Sequence, residues 1–179
     1  FFSLSTQRER AESLAQQWEL ELKALVEKVP SAVFKSETAF PWKMQYLSEG
    51  AALICGYAPS EFTQGLITLG EIIHPDDREK VRGVLAEKRT GDRRAKNVEV
   101  RLLSRNRQQQ DHALSYSFVE LSTRGYWDVA DREIHRPDKK FLYTLGIARD
   151  ISMRKRAEAD LRESERRMEL LKDVASAAN

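Results

Sequence analysis

The stretch "LYTLGIARDISMRKRAEADLRESERRMELL", Leu142 to Leu171, begins as a strand and ends as a charged helix, with no glycine or proline after Gly146. Apolar residues at every second position give way to spacings of three and four. A strand joined to a long helix without a flexible residue passes its position on to that helix. The chain therefore needs a folded domain whose last strand runs straight into a projecting helix. Along that helix Ala157, Leu161, Ser164, Met168, Leu171 and Ala175 form a heptad seam of about two and a half repeats. Glu158–Arg162 and Glu163–Arg167 are acid-before-base pairs four apart, each contributing about 0.3 kcal/mol on an exposed helix. Ser164 and the two alanines make the seam weak, which suits a helix that changes state.

A second helix opens the chain. Over Arg8–Val29 the apolar positions are Ala11, Leu14, Trp18, Leu22, Leu25 and Val29. Pairs of them recur at a spacing of about eleven residues, which keeps one stripe on a nearly straight helix. Pro30 ends it, because proline disfavours the helical region for the residue before it. Such a stripe is buried either against the following domain or against a second copy of the helix.

Between the helices the pattern is mixed. "AVFKS" and "WKMQYLS" read as strands, with "ETAFP" as their turn. "EGAALICGY" and "PSEFTQG" read as short helices broken by Gly56, Pro59 and Gly65. "HPDDREKVRGVLAEKRTG" is a fuller helix, with Pro75 at a first position, acids in the first turn and Gly91 past the end. "NVEVRLL", "ALSYSFVELS", "GYWDVADREI" and "KFLYTLGIA" supply three or four further strands, with "HRPDKK" as the last turn. On these readings Leu114, Tyr116 and Phe118 share a face, as do Phe141, Tyr143, Leu145 and Ile147. Runs of adjacent strands give an α+β fold.

The balance of charge narrows the functions. The 30 basic and 28 acidic residues leave +2, too weak a field to point to nucleic acid. One cysteine, Cys55, excludes an internal disulfide. The start "FFSLSTQRER" reads as an ordinary helix start, or as the trimmed cytoplasmic end of a membrane helix with Arg8 and Arg10 as its inner flank. No phosphate-loop, nucleophile-elbow or dithiol motif is present, so no catalytic constellation emerges. His74, Asp76 and Asp77, with Asp111 and His112, are metal-type side chains without metal-type spacing, and a charged helix start accounts for the first three. The run Arg154-Lys155-Arg156 is followed at once by acids and reads as a solvated face.

Four stretches in this order, "SEGAALICGYAPSEF", "IIHPDDREKV", "NVEVRLL" and "GIARDISMRKRAEADL", carry a resemblance to the PAS domain, the sensory-box family. The resemblance covers roughly Ser31 to Leu161. It implies a five-stranded antiparallel sheet with small helices on one face, flanked by the two helices: a linker helix over 1–30, a PAS domain over 31–152 and a coiled-coil signalling helix over 153–179. Ser152 stands where the family has threonine, and the stretch 104–125 is longer than the family's turn by roughly a strand and a loop. The resemblance further implies a non-catalytic sensory or dimerisation module of a multidomain signalling protein of histidine kinase or diguanylate cyclase type. That protein is expected to be cytoplasmic, either free or tethered by a preceding membrane segment.

The partners implied are a second copy, through the flanking helices, an output domain in the same chain and a small-molecule ligand, with no nucleic acid. The family's ligand site maps onto Leu53, Ile54, Ile72, Ile73, Val81, Leu85, Trp127, Leu145 and Ile147, which either enclose a pocket or simply fill a core. Asp150 and Ser152 form the hinge, Asp150 accepting from the first backbone N–H groups and Ser152 capping the helix. The "NCRFLQ"-type motif of flavin-binding members is absent, and Val81–Lys88 lacks the histidine of haem-binding members, so no cofactor is expected. Cys55 is then a small buried hydrophobe.

Overall fold

The computed structural model describes residues 4–90, 96–105, 116–129, 138 and 140–177. Its elements are α1 (Leu4–Lys28), β1 (Ala32–Ser36), β2 (Met44–Leu47), α2 (Gly50–Cys55), α3 (Pro59–Thr63) and α4 (Leu69–Ile72). A 3-10 turn at Pro75–Asp77 follows, then α5 (Arg78–Thr90), β3 (Lys96–Leu103), β4 (Tyr116–Trp127), β5 (Phe141–Asp150) and α6 (Ser152–Ala177). The strands form one antiparallel sheet in the order β2-β1-β5-β4-β3, so the first and last strands of its centre lie side by side. Small helices and α5 cover one face. This is the α+β architecture expected.

Local chemistry sets the boundaries of the helices. Gly56 ends α2 at φ +75°, and its N–H donates to the Ala52 carbonyl at 2.9 Å. That left-handed conformation suits glycine, which has no Cβ to clash. Glu61 reaches back to the Ala58 N–H at 2.8 Å, and Glu71 to the Thr68 N–H at 2.6 Å, closing the first turns of α3 and α4. Trp42 is completely buried at φ +59°, its ring edge-on to Phe40 at 5.2 Å. A non-glycine residue holds that conformation only when its surroundings fix it, and burial of the whole indole does so.

Two strand readings change. "ALSYSFVELS" and "GYWDVADREI" are not separate strands: Tyr116–Trp127 is one strand of 12 residues. It pairs with β5 from Val119↔Asp150 to Trp127↔Phe141. Gly125 interrupts nothing because it faces inward opposite Thr144. β3 pairs with the first part of β4, from Lys96↔Thr123 to Leu103↔Tyr116. Of the long stretch 104–125, Tyr116–Gly125 is thus β4 itself, while 106–115, with Asp111, His112 and Leu114, lie outside the described residues.

The inward face runs through Ala32, Phe34 and Ser36 on β1, Thr144, Gly146 and Ala148 on β5, and Ser117 to Trp127 at alternate positions on β4. On β5 this is the opposite parity to the one the apolar residues suggest, and on β4 it sets Tyr116 and Phe118 on the other face from Val119, Leu121 and Trp127. Phe118 is 39% exposed and Ile147 42% exposed, on the outer face. The reason lies across the sheet. Phe34 on β1 pairs with Gly146, and a Cβ at 146 would stand 2.3 Å from Phe34 Cζ. The phenylalanine takes the volume, so β5 must turn its small residues inward, and a period of exactly two then carries Leu145 and Ile147 outward.

Candidate functional site

A cavity of about 30 Å³ lies between the sheet and α2–α4, walled by apolar groups including Phe34, Ile54, Cys55, Ile72, Leu121 and Ala148. Of the residues expected to line a pocket, Ile54 and Ile72 reach it. Ile73, Val81 and Leu85 are buried in the same core without touching the cavity, and Trp127 is buried edge-on to Phe141 at 5.4 Å. Leu53, Leu145 and Ile147 do not belong to it. Leu53 is 79% exposed, because α2 turns Gly50, Ala51, Ile54 and Cys55 inward and the next residue on a helix is rotated by about 100°. Leu145 and Ile147 line a shallow groove on the outer face with Val33.

The wall of the cavity is held by its backbone. The Ile54 carbonyl accepts from Ser117 Oγ at 2.9 Å and from Ser104 Oγ at 3.5 Å, tying the end of α2 to β4 and to the end of β3. Cys55 donates through Sγ to the Ala51 carbonyl at 3.1 Å, and burial pushes its thiol pKa up. It stays protonated and unreactive, as a buried thiol does.

The second feature is the junction from β5 to α6. Asp150 Oδ1 accepts from the Ser152 N–H at 2.8 Å, which is the contact expected of it. Ser152 does something else. Its Oγ accepts from the Phe118 N–H at 3.0 Å and lies 3.5 Å from the Phe118 carbonyl, while the Ile151 N–H donates to that carbonyl at 2.8 Å. Ser152 therefore fastens the helix root to β4 and does not cap it. Ile151 and Ser152 are both buried. One turn on, Lys155 Nζ sits 2.5 Å from Glu99 Oε2, and Arg154 Nη2 sits 2.6 Å from Glu99 Oε1. The hydrogen bond from Lys155 is the main cause of a lowered Glu99 pKa.

Two residues further along β3, Arg101 continues the network along the same groove, which Asp77, Lys80, Glu99 and Lys155 line together. Its Nε donates to Asp77 Oδ2 at 2.8 Å, its Nη2 to Asp77 Oδ1 at 3.0 Å, and its backbone N–H to Oδ2 at 2.9 Å. Lys80 adds a contact at 3.0 Å. With this many donors the buried Asp77 carboxyl is held far below the usual carboxylate range, with Arg101 as the largest cause. His74 accepts from the Asp76 N–H through Nδ1 at 3.2 Å, and its ring lies 4.9 Å from that of Tyr116. His74, Asp76 and Asp77 thus build the start of α5.

Residues 45–119 match the sequence profile of the PAS fold family. The chain contains a PAS domain. The fold agrees with that of solved PAS-type structures. One is an RNA-binding light-oxygen-voltage receptor, 14% identical, with a TM-score of 0.56 over 83% of this chain and 37% of that one. Another is a domain of a sensory box sensor histidine kinase/response regulator from Geobacter sulfurreducens, 21% identical, with a TM-score of 0.50 over 74% of this chain and 94% of that one. A curated relative, the methyl sulfide methyltransferase-associated sensor of Methanosarcina acetivorans, is 29% identical over 170 residues, or 94% of this chain. The chain spans 15% of that relative's length.

Within this PAS domain, sequence reasoning missed the hub at Glu99, the clamp at Phe118 and most of the cavity wall. "NVEVRLL" signals a strand but not that its outward Glu99 meets the helix root. Only the register of β3 against β4 puts Glu99 opposite Glu120, one pair from Val119, and so beside α6. Among the described residues no helix is long and apolar enough to cross a membrane.

Proposed function

We propose that this PAS domain is a sensory module that reports the state of its core through α6 to an output domain of histidine kinase or diguanylate cyclase type in the same chain. The observation that carries this is the junction. The root of α6 is bonded to β4 at Phe118, to β5 through Asp150 and to β3 through Glu99. A shift of these strands moves the helix, because no residue between Asp150 and Ser152 is free to absorb it. The exposed apolar residues of both flanking helices, Leu14, Trp18 and Leu22 on α1 and Leu161, Met168 and Leu171 on α6, support pairing with a second copy. Replacing Asp150 by alanine in the full-length parent tests the reading. Output activity should become insensitive to the signal while the fold persists, since one such cap contributes about 1 kcal/mol. Unchanged regulation in that variant would refute it.

A specific observation favours a second reading, a dimerisation domain without a ligand. The cavity of about 30 Å³ is far below the ~150 Å³ in which an apolar protein cavity admits benzene. Freshly purified protein is expected to be colourless by absorption spectroscopy, since neither flavin nor haem fits such a space. Candidate metabolites that raise the melting temperature would favour the sensor, because a ligand of the folded state stabilises it.

A further inference from the structure

The inward face of the sheet has two unlike halves. Across the row Ala32–Ala148–Leu121–Val98 it is apolar, and Ala32, Ala148 and Leu121 wall the cavity there. Four residues along β1, the row Ser36–Thr144–Gly125 is small and polar, with Thr123 opposite Gly146 between the two. The hydroxyls of Ser36, Thr123 and Thr144 are buried, at 1%, 4% and 0% exposure, and have no hydrogen-bond partner among the described residues. Cross-strand neighbours stand about 5 Å apart and diagonal ones about 7–8 Å, so the three oxygens share one patch. Buried polar side chains are nearly always paired. Three orphans on one patch, each having given up water without a replacement, mark a place where a partner belongs.

Phe34 separates the halves. It walls the cavity, and its ring covers Gly146 so closely that no Cβ fits beneath it. We propose that the cavity and the hydroxyl patch are the two ends of one site for a small, neutral, amphipathic molecule, admitted when the Phe34 ring swings off Gly146. The apolar body takes the cavity and the space the ring vacates. The polar end, a hydroxyl or an amide, pairs with Ser36, Thr123 and Thr144, each of which donates one hydrogen bond and accepts others. The guest is neutral because the described inward residues around the patch, Phe34, Gly125, Trp127 and Gly146 among them, offer an ion no counter-charge. This ligand class rests on the reading of the core as the signal-receiving site.

Butanamide is the probe, titrated into the 179-residue protein and followed by amide chemical shifts, with xenon as a probe of the cavity alone. Wild type should show saturable butanamide shifts at Gly125, Thr144 and Gly146. In the double variant Thr123→Val/Thr144→Val the dissociation constant should rise about tenfold, the loss expected for one or two neutral hydrogen bonds, with xenon shifts at Cys55 and Leu121 retained. Without a probe, Thr144→Val should raise the melting temperature by about 3 °C, since an unpaired hydroxyl is replaced by an isosteric methyl. If the double variant fails to fold, Thr144→Val and Ser36→Ala carry the same comparison singly. No saturable butanamide shift in wild type, or equal affinity in the variants, overturns the proposal. Butanamide bound at the patch with no change in the amides of 152–158 would sink the signalling reading and leave the ligand site standing.

Discussion

The two flanking helices are alike in length and in their exposed apolar residues, yet they are attached differently. At the base of α1 the chain passes through Val29, Pro30 and Ser31, where the Ser31 N–H donates to the Val29 carbonyl at 2.7 Å. The side-chain pairs that define α1, Arg8 with Glu12 and Gln17 with Glu21, lie along the helix itself. At the base of α6 the bonds run outward to three strands through Asp150, Ser152, Arg154 and Lys155. A helix held by bonds to a sheet follows the sheet, and one that leads in through a proline turn is less constrained by it. Under the proposed function, this asymmetry assigns pairing to α1 and transmission to α6.

Changing the phase of α6 should have the largest effect. One residue inserted after Arg156 in the full-length parent turns the seam by about 100° and should abolish regulation, whereas seven residues leave about 20° of drift and should nearly restore it. Output assays with melting curves as a folding control decide the matter, and equal regulation by both insertions would reduce α6 to a tether. The same insertions at Gln17 of α1 should alter dimer strength without removing regulation.

The anchor behind the junction comes next. Asp77→Ala takes the buried carboxylate from Arg101 on β3, leaving it only the exposed Asp76 at 3.6 Å, and should lower stability by about 3 kcal/mol in urea unfolding. The linkage has a definite sign. The folded pKa of Asp77 is depressed, so its contribution is present above the unfolded value near 4 and is lost as pH falls below it. Wild type should therefore lose more stability than Asp77→Asn between about pH 5 and 2.

Surface changes on α1 should act on association alone. Replacing Trp18 and Leu22 by glutamine should shift the sedimentation of the protein from dimer to monomer at micromolar concentration. The change in unfolding free energy extrapolated to the monomer should stay within about 0.5 kcal/mol, as expected for exposed positions. A loss of several kcal/mol would show that α1 packs on its own domain.

Glu99→Gln should have the smallest effect on stability, about 0.5 kcal/mol, because its ion pairs with Arg154 and Lys155 are solvent-exposed. Hydrogen exchange at residues 153–156 should nevertheless quicken severalfold. Protection unchanged in this variant would mean that Ser152 and Asp150 hold the root of α6 without help.

Much of this architecture is written in local patterns. Pro30 and the spacing of Leu14, Trp18 and Leu25 mark α1, the His74-Pro75-Asp76-Asp77 sequence marks the start of α5, and Asp150 marks the turn into α6. Parity was hidden. Phe141, Tyr143, Leu145 and Ile147 alternate perfectly, but the outer face of this sheet is itself partly apolar, so alternation alone does not say which face is inside. The answer is a contact 112 positions apart in the chain, Phe34 on Gly146. The same limit hid the candidate site. Ser36, Thr123 and Thr144 look like solvent-facing strand residues one at a time, and only strand pairing brings them together indoors. Ser152 reads as a cap because serine usually caps, and its true partner, Phe118, is set by the register of β4 against β5.

The strand order has one more consequence. Ala32, near the start of β1, is paired with Ala148, near the end of β5, so the chain enters and leaves the domain at neighbouring points, about 5 Å apart. In a larger chain the domain is a pendant, hung from two points that lie side by side. Excising it or exchanging it for another of its kind leaves those two points nearly where they were. A part whose two attachments stand so close is one that a chain can collect in series.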